Sequence, residues 1–113
     1  TNKYTNEQIN IQMKNVYDTV QVDYSQLAEF FKVLGEPTRL QLLFLLSDRE
    51  ICVSELTGYL NASQSTVSHQ LNILKAHKLI RRRREGKQIY YSVSDCHVSL
   101  VTKLGIEIVT ARK

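Results

Sequence analysis

Residues 61–80 read Asn-Ala-Ser-Gln-Ser-Thr-Val-Ser-His-Gln-Leu-Asn-Ile-Leu-Lys-Ala-His-Lys-Leu-Ile, and this stretch decides the fold. Val67, Leu71 and Leu74 recur at helical spacing, which predicts a helix with one buried face. Ser63 is suited to be the N-cap of this helix, because its hydroxyl can accept a hydrogen bond from an unpaired N–H of the first turn.

A second, shorter helix is predicted directly before this one, over residues 53–60. Asn61 and Ala62 would form the turn between the two helices, since Asn61 tolerates the left-handed backbone conformation that ends a helix. Two helices joined by such a short turn are typical of the helix-turn-helix, whose second helix enters the major groove of DNA.

The exposed side of the later helix carries short, neutral, hydrogen-bonding side chains. A helix face that meets only solvent would usually carry Glu and Lys instead. Side chains that both donate and accept suit the edges of bases in a major groove. We therefore predict that the residues contacting DNA on this helix are Gln64, Ser65, Thr66, Ser68 and His69.

The charge of the chain is unevenly distributed. The formal net charge is +4, but residues 1–74 carry a net −3 and residues 75–113 a net +7. The positive half begins inside the helix with the polar face, which indicates a polyanion as partner. The alternative is a solvated basic face without a partner.

Length and composition predict a single domain over residues 1–113, with 42% hydrophobic residues to form a core. The sequence has no run of about 18 apolar residues and no signal segment, so no membrane span is expected. Cys52 and Cys96 do not make a disulfide framework, and a cytoplasmic location is the simplest interpretation.

A β-hairpin is predicted after the helix-turn-helix. Four consecutive arginines, residues 81–84, precede the turn dipeptide Glu85-Gly86, and the β-forming residues 89–93 follow it. A nuclear-localisation run is the other interpretation of four arginines. The position within a hairpin favours a DNA-contacting wing, in which phosphates or a minor groove are contacted by Arg83, Arg84 and Lys87.

Four further helices are predicted besides the helix-turn-helix, three in the first half of the chain and one in the C-terminal segment. One covers residues 5–20, and the next begins near Asp23 and ends at Gly35, with an apolar face of Leu27, Phe30, Phe31 and Leu34. The last begins at Ser94 or Asp95, and its long apolar stripe needs a partner, either the first helix or a second copy. That stripe consists of Val98, Val101, Leu104, Gly105, Ile108 and Val109.

Residues 38–46 form another predicted helix, opened by Glu36-Pro37, because proline is tolerated at the first helical position. This helix is apolar on most sides, which predicts a central position in the core.

Four ordered motifs, residues 34–43, 50–56, 63–71 and 86–91, together resemble the ArsR/SmtB family of bacterial winged-helix repressors. The resemblance implies a mainly α fold with a small β-hairpin, a winged helix-turn-helix. It also implies a homodimer built from the first and last helices. Such a repressor leaves its operator when an inducer, often a metal ion, binds.

One metal site of that family uses cysteines at the start of the helix before the recognition helix. Cys52 matches the first cysteine and Glu55 the acidic position, but Ser54 stands where the second cysteine would be. Because soft metals need several thiolates, a small buried residue is the alternative interpretation of Cys52.

The second family site lies between the last helices of two subunits and binds divalent metals such as zinc. Asp95 and His97 match one half of it, whereas Ile108 and Ala111 stand where the partner ligands would be and cannot bind metal. Asp95 and His97 are therefore candidate ligands, with helix capping by Asp95 as the alternative.

The favoured function is a sequence-specific, dimeric DNA-binding repressor released by an inducer, either a metal ion or a thiol-reactive signal. A protein-interaction module with the same fold, or a regulator without metal sensing, is the alternative. An enzyme, for example a thiol hydrolase using Cys52 or Cys96 with a histidine, is not expected, because no phosphate loop, triad or oxyanion turn is readable.

Overall fold

The structure is a computed structural model that describes residues 21–112, together with Glu7. The helix predicted over residues 5–20 lies outside the described residues. The elements between residues 21 and 112 are, in order, α1 (Tyr24–Leu34), α2 (Pro37–Leu46), β1 (Ile51–Cys52), α3 (Val53–Leu60), α4 (Gln64–Ala76), β2 (Ile80–Glu85), β3 (Gln88–Val93) and α5 (Cys96–Ala111).

The starts of α1 and α2 are fixed by carboxylate caps, at the positions where the sequence predicted each helix to begin. The side chain of Asp23 accepts hydrogen bonds from the first turn of α1, and Glu36 accepts from the backbone N–H groups of Thr38 and Arg39 at 3.1 and 2.9 Å. Desolvation opposes ionisation of Glu36, but these hydrogen bonds outweigh it and hold the pKa of Glu36 below its usual value. Gly35 ends α1 with φ −79°, so the left-handed conformation is not needed there.

The core lies between α2, α4 and the sheet. Its fully buried side chains come from the predicted stripe of α4 and from neighbouring elements: Leu42, Leu43, Leu46, Ile51, Leu56, Val67, Leu71 and Leu74. The predicted central position of α2 in the core is confirmed at Leu42, Leu43 and Leu46, but Leu40 and Phe44 on its other side remain 39% and 46% exposed. Part of the predicted face of α1 is also exposed, at Leu27 and Phe31.

The three strands form an antiparallel sheet in the order β1-β3-β2. The two-residue strand β1 was not predicted from the sequence, and it pairs Ile51 with Tyr91. The hairpin turn lies one residue later than predicted, at Gly86-Lys87, because Glu85 still pairs with Gln88. Gly86 adopts φ +61°, a conformation that glycine tolerates and that two-residue hairpin turns require.

An open apolar groove of about 760 Å³ is lined by residues of α1, α2 and α5. The exposed residues of α1 and α2 form one wall, and most of the predicted stripe of α5 forms the other: Val101, Leu104, Gly105, Ile108 and Val109. Within residues 21–112, nothing covers this apolar face. No helix in the same part of the chain is long and apolar enough to cross a bilayer.

Candidate nucleic-acid interface

The turn between α3 and α4 has the geometry that its sequence predicts. Asn61 adopts φ 51° and ψ 47°, the left-handed conformation, directly after the last residue of α3. The backbone N–H of Ala62 donates to the carbonyl of Thr57 at 3.3 Å, which closes the end of α3. The chain is thereby redirected within three residues, and α4 begins at Gln64.

Hydroxyl groups cap the start of α4. Ser63 Oγ accepts from the backbone N–H of Thr66 at 3.2 Å and donates to Thr66 Oγ1 at 2.9 Å. Ser65 Oγ lies 3.2 Å from Ser63 Oγ. Ser65 and Thr66, both predicted to contact DNA, therefore already belong to the hydrogen-bond network that caps the start of α4.

The side chains of the other three predicted contact residues have no hydrogen-bond partner within the described residues. The side chains of Gln64, Ser68 and His69 make no hydrogen bond to any residue that the structure describes, and Gln64 and His69 are exposed. The opposite face of α4 is fully buried, so this face is held towards solvent by the core. The arrangement presents neutral donors and acceptors on a fixed helix, which is what reading base edges requires.

The end of α4 carries a feature that the sequence did not predict. Lys78 adopts φ 61°, its N–H donates to the Lys75 carbonyl at 2.9 Å, and the N–H of Leu79 donates to the Leu74 carbonyl at 3.0 Å. These bonds form a Schellman motif with lysine at the position that usually favours glycine. This motif turns the chain from α4 directly into β2.

On the wing, Arg83 has intramolecular partners. Its Nε and Nη2 donate to the carboxylate of Glu50 over 3.0–3.2 Å, and its Nη1 donates to Glu85 at 3.2 Å. The guanidinium also lies 5.1 Å from the centroid of the Tyr90 ring. The hydrogen bond from Arg83 is the main cause of a lowered pKa of Glu50, and the same bond raises the pKa of Arg83.

The other cations of the wing are less engaged. Arg82 and Lys87 are exposed and form no hydrogen bond or ion pair within the described part of the chain, whereas Arg84 Nε donates to the Gly86 carbonyl at 3.4 Å. Arg82 pairs with Tyr91 across the hairpin and Arg83 with Tyr90, so alternate arginines lie on opposite faces of the sheet. Arg82 is a candidate contact that the sequence reasoning did not single out.

The candidate metal ligands have other partners. Asp95 Oδ1 accepts from the backbone N–H groups of His97 and Val98 at 2.8 and 3.4 Å and lies 3.4 Å from His97 Nδ1. Buried Cys52 donates towards Glu55 at 3.6 Å, and its Sγ lies 3.2 Å from Ser54 Oγ.

Among residues 21–112, no three His, Cys, Asp or Glu side chains lie close enough together to hold a metal ion. The capping role weighed for Asp95 is confirmed by its two hydrogen bonds. Within residues 21–112 of a single chain, neither candidate position gathers the three or four ligands that zinc takes.

The sequence of residues 36–82 matches the profile of the family described as "Bacterial regulatory protein, arsR family". A transcriptional repressor SmtB homolog from Synechocystis is 47% identical over 73 residues, which are 65% of this chain and 55% of that protein. An uncharacterized HTH-type transcriptional regulator, MJ1325 of Methanocaldococcus jannaschii, is 40% identical over 86 residues, which are 75% of this chain and 97% of that protein.

A solved structure is similar over most of the fold. HlyU from Vibrio cholerae superposes with a TM-score of 0.72 at 28% sequence identity, covering 79% of this chain and 97% of that one. The chain spans only about half of the Synechocystis repressor but nearly all of the M. jannaschii regulator. The match to the arsR family covers the helix-turn-helix and ends at residue 82, in the first strand of the wing.

Proposed function

Since the chain belongs to the arsR family of bacterial regulatory proteins, we propose that it is a transcriptional repressor that binds operator DNA through α4 and the wing. The observation that carries the proposal is the face of α4. There, Gln64, Ser68 and His69 project neutral, unbonded polar groups beside a cationic hairpin. Such a surface has the two parts that a specific site on DNA needs, a reader of bases and a binder of phosphates.

In the proposed complex, α4 lies in the major groove and its neutral side chains hydrogen-bond to base edges. Arg82, Arg84 and Lys87 on the wing neutralise phosphates or enter the adjacent minor groove. Arg83 contributes less than its charge suggests, because Glu50 and Glu85 already neutralise it. A bacterial regulator of this kind would act on its operator in the cytoplasm, which is the location we propose.

The test is a fluorescence-anisotropy titration with labelled DNA from upstream of the gene itself and with a scrambled control. We expect the upstream DNA to bind more tightly. The affinity should fall by orders of magnitude between about 50 and 200 mM salt, because bound phosphates release counterions. Equal, weak binding to both DNAs at low salt would contradict sequence-specific recognition.

We also propose that a second copy of the chain covers the apolar groove, as the family resemblance implies. The groove exposes side chains of α5 that a monomer would leave in water, among them Ile108 and Val109 at 53% and 62% exposure. A dimer presents two copies of α4 to paired half-sites. Sedimentation should show a dimer for the wild type, and Leu104→Glu should give monomers with weak operator binding. A wild-type monomer at micromolar concentration would exclude this assembly.

The inducer is proposed to be something other than tightly bound zinc. Asp95 is committed to capping, and the residues at positions 108 and 111 are Ile and Ala. In the anisotropy assay we expect zinc to change operator affinity little in the wild type and in His97→Ala alike. Release of the operator by low-micromolar zinc, abolished in His97→Ala, would instead establish a metal site there.

A further inference from the structure

Arg39 connects three helices through one side chain. Its Nε donates to the carbonyl of Val33 at 2.6 Å near the end of α1, and its Nη1 donates to Oε1 of Gln70 on α4 at 3.0 Å. Its own backbone N–H is held by the Glu36 carboxylate at the start of α2. The side chain is half-buried and so is Gln70, so water only partly competes for these bonds.

The chemistry of the pair fixes the orientation of the Gln70 amide. A guanidinium has only donors, so the atom that faces it must be the amide oxygen, and the NH₂ group must point away. The carbonyl of Val33 belongs to the last turn of α1, where carbonyls lack partners within the helix. Arg39 satisfies that carbonyl and Gln70 together, which ties the position of α4 to the α1–α2 corner.

Burial of Val67, Leu71 and Leu74 decides which side of α4 faces the core, but it is not directional and tolerates a small rotation of the helix about its axis. The side chains of a helix end about 5–6 Å from its axis. A rotation of about 10° would therefore move the tips of Ser68 and His69 by about 1 Å, more than the roughly 0.5 Å range of hydrogen-bond distances. Gln70 follows these two residues directly, where a directional bond restrains that rotation.

We propose that Arg39 and Gln70 are positioning residues for operator recognition, and that their hydrogen bond fixes the rotation of α4 so that its neutral side chains meet base edges. The proposal rests on the proposed function of the chain as a DNA-binding repressor. Neither residue needs to touch DNA. Removing the bond should therefore reduce the preference for the operator and leave the phosphate contacts of the wing, and with them non-specific binding, intact.

The test compares Gln70→Met and Gln70→Glu by anisotropy on operator and scrambled DNA. Gln70→Met keeps the length of the side chain and removes the acceptor. It should lower the ratio of specific to non-specific affinity roughly tenfold, as expected for one misplaced base contact. Gln70→Glu keeps an acceptor for Arg39, so the ratio should be retained, while the added negative charge weakens binding to both DNAs alike.

Two further variants keep the result interpretable. Gln26→Met makes the same change on the exposed surface of α1 and should leave the ratio unchanged. Arg39→Lys keeps the charge but has one ammonium in place of the planar fork, so it cannot hold Val33 and Gln70 together and should lower the ratio as Gln70→Met does. If Gln70→Met does not fold, Arg39→Lys alone tests the positioning role.

Folded Gln70→Met, or folded Arg39→Lys, with a ratio within twofold of the wild type would overturn the positioning role. An equal loss of the ratio in Gln70→Glu would overturn it too, since the acceptor is then irrelevant. Failure of the proposed function looks different, because the wild type itself would then show no preference for the operator.

Discussion

The exposed face of α4 and the wing differ in how far their polar and charged side chains are already bonded within the chain. On α4, Gln64, Ser68 and His69 have no partner within the described residues, and the helix beneath them is fixed by a fully buried stripe. On the wing the charges are abundant, but Arg83 is already bonded to Glu50 and Glu85 and stacked near Tyr90. The neutral groups are free on a rigid support, whereas a phosphate that approaches Arg83 must compete with partners in the same chain.

The difference shows why a count of charges overstates what DNA can use. Residues 75–113 carry a net +7, yet one of the arginines on the wing is neutralised before DNA arrives. The pKa of Glu50 is held below its usual value, so Glu50 stays ionised as the pH falls through the usual carboxylate range. The ion pair is lost only when the pH falls through the lowered pKa. At neutral pH, then, protonation does not release Arg83, and only a competing phosphate or a substitution can do so.

The largest effect expected to separate the two regions is on discrimination. Gln64→Ala or Ser68→Ala should reduce the preference for operator over scrambled DNA by roughly 1–3 kcal/mol at a contacted base pair. Anisotropy titrations on both DNAs measure this directly. Equal losses on the two DNAs would show that the helix only positions the protein and does not read bases.

Substitutions on the wing should act on all sequences alike. Arg84→Ala should weaken operator and scrambled DNA by the same factor and lower the slope of log affinity against log salt by about 0.9, the value for one phosphate contact. Arg83→Ala is the informative comparison, because its guanidinium is already paired and its loss should change the slope less. A larger change for Arg83→Ala than for Arg84→Ala would contradict the contrast drawn between them.

A smaller effect of opposite sign is expected when the partner of Arg83 is removed. Glu50→Gln should strengthen binding to both DNAs and steepen the salt slope by at most about 0.9, since Glu85 still holds part of the guanidinium. Glu55→Gln is the matched control, because it removes the same charge from a residue paired with Arg49 instead. If the two variants behave identically, only net charge matters and the ion pair with Arg83 does not.

The smallest effect concerns the junction of the two regions. Lys78→Gly should raise the free energy of unfolding by about 1 kcal/mol, because glycine adopts the left-handed conformation without the strain that lysine carries. Lys75→Gly removes the same charge within α4 and should lower stability by about the same amount. Urea denaturation of both variants measures the difference, and a loss of stability in Lys78→Gly would disprove the strain.

The helix-turn-helix was predictable because its signals are local. Asn61 indicates the end of one helix and Ser63 the start of the next, within three residues. The buried stripe of α4 follows from the helical spacing of its apolar residues alone. The resemblance to the ArsR/SmtB family was confirmed by the family comparison. The strand β1 was missed because two residues have no periodicity, and the strand exists only through pairing with β3.

The partners of the site residues were less predictable. Arg83 donates a hydrogen bond to Glu50, 33 residues earlier in the chain, and Arg39 donates one to Gln70, 31 residues later. Such pairs depend on how the elements pack, which sequence spacing does not reveal. The exposed faces of α1 and α2 were also misjudged, because an apolar pattern does not distinguish a buried core from an exposed apolar surface.

The two residues of β1 have a consequence for the exchange of parts between relatives. Cys52 and Tyr90 are neighbours across the sheet, so the strand of the wing is attached to the residues that open α3. A chimera that takes a foreign hairpin over residues 80–93 should therefore take the foreign residues 50–52 with it, or the new wing will pair with a β1 strand and a residue 50 that are not matched to it. The units of this chain that can be exchanged between relatives are therefore sets of paired strands and not contiguous segments of sequence.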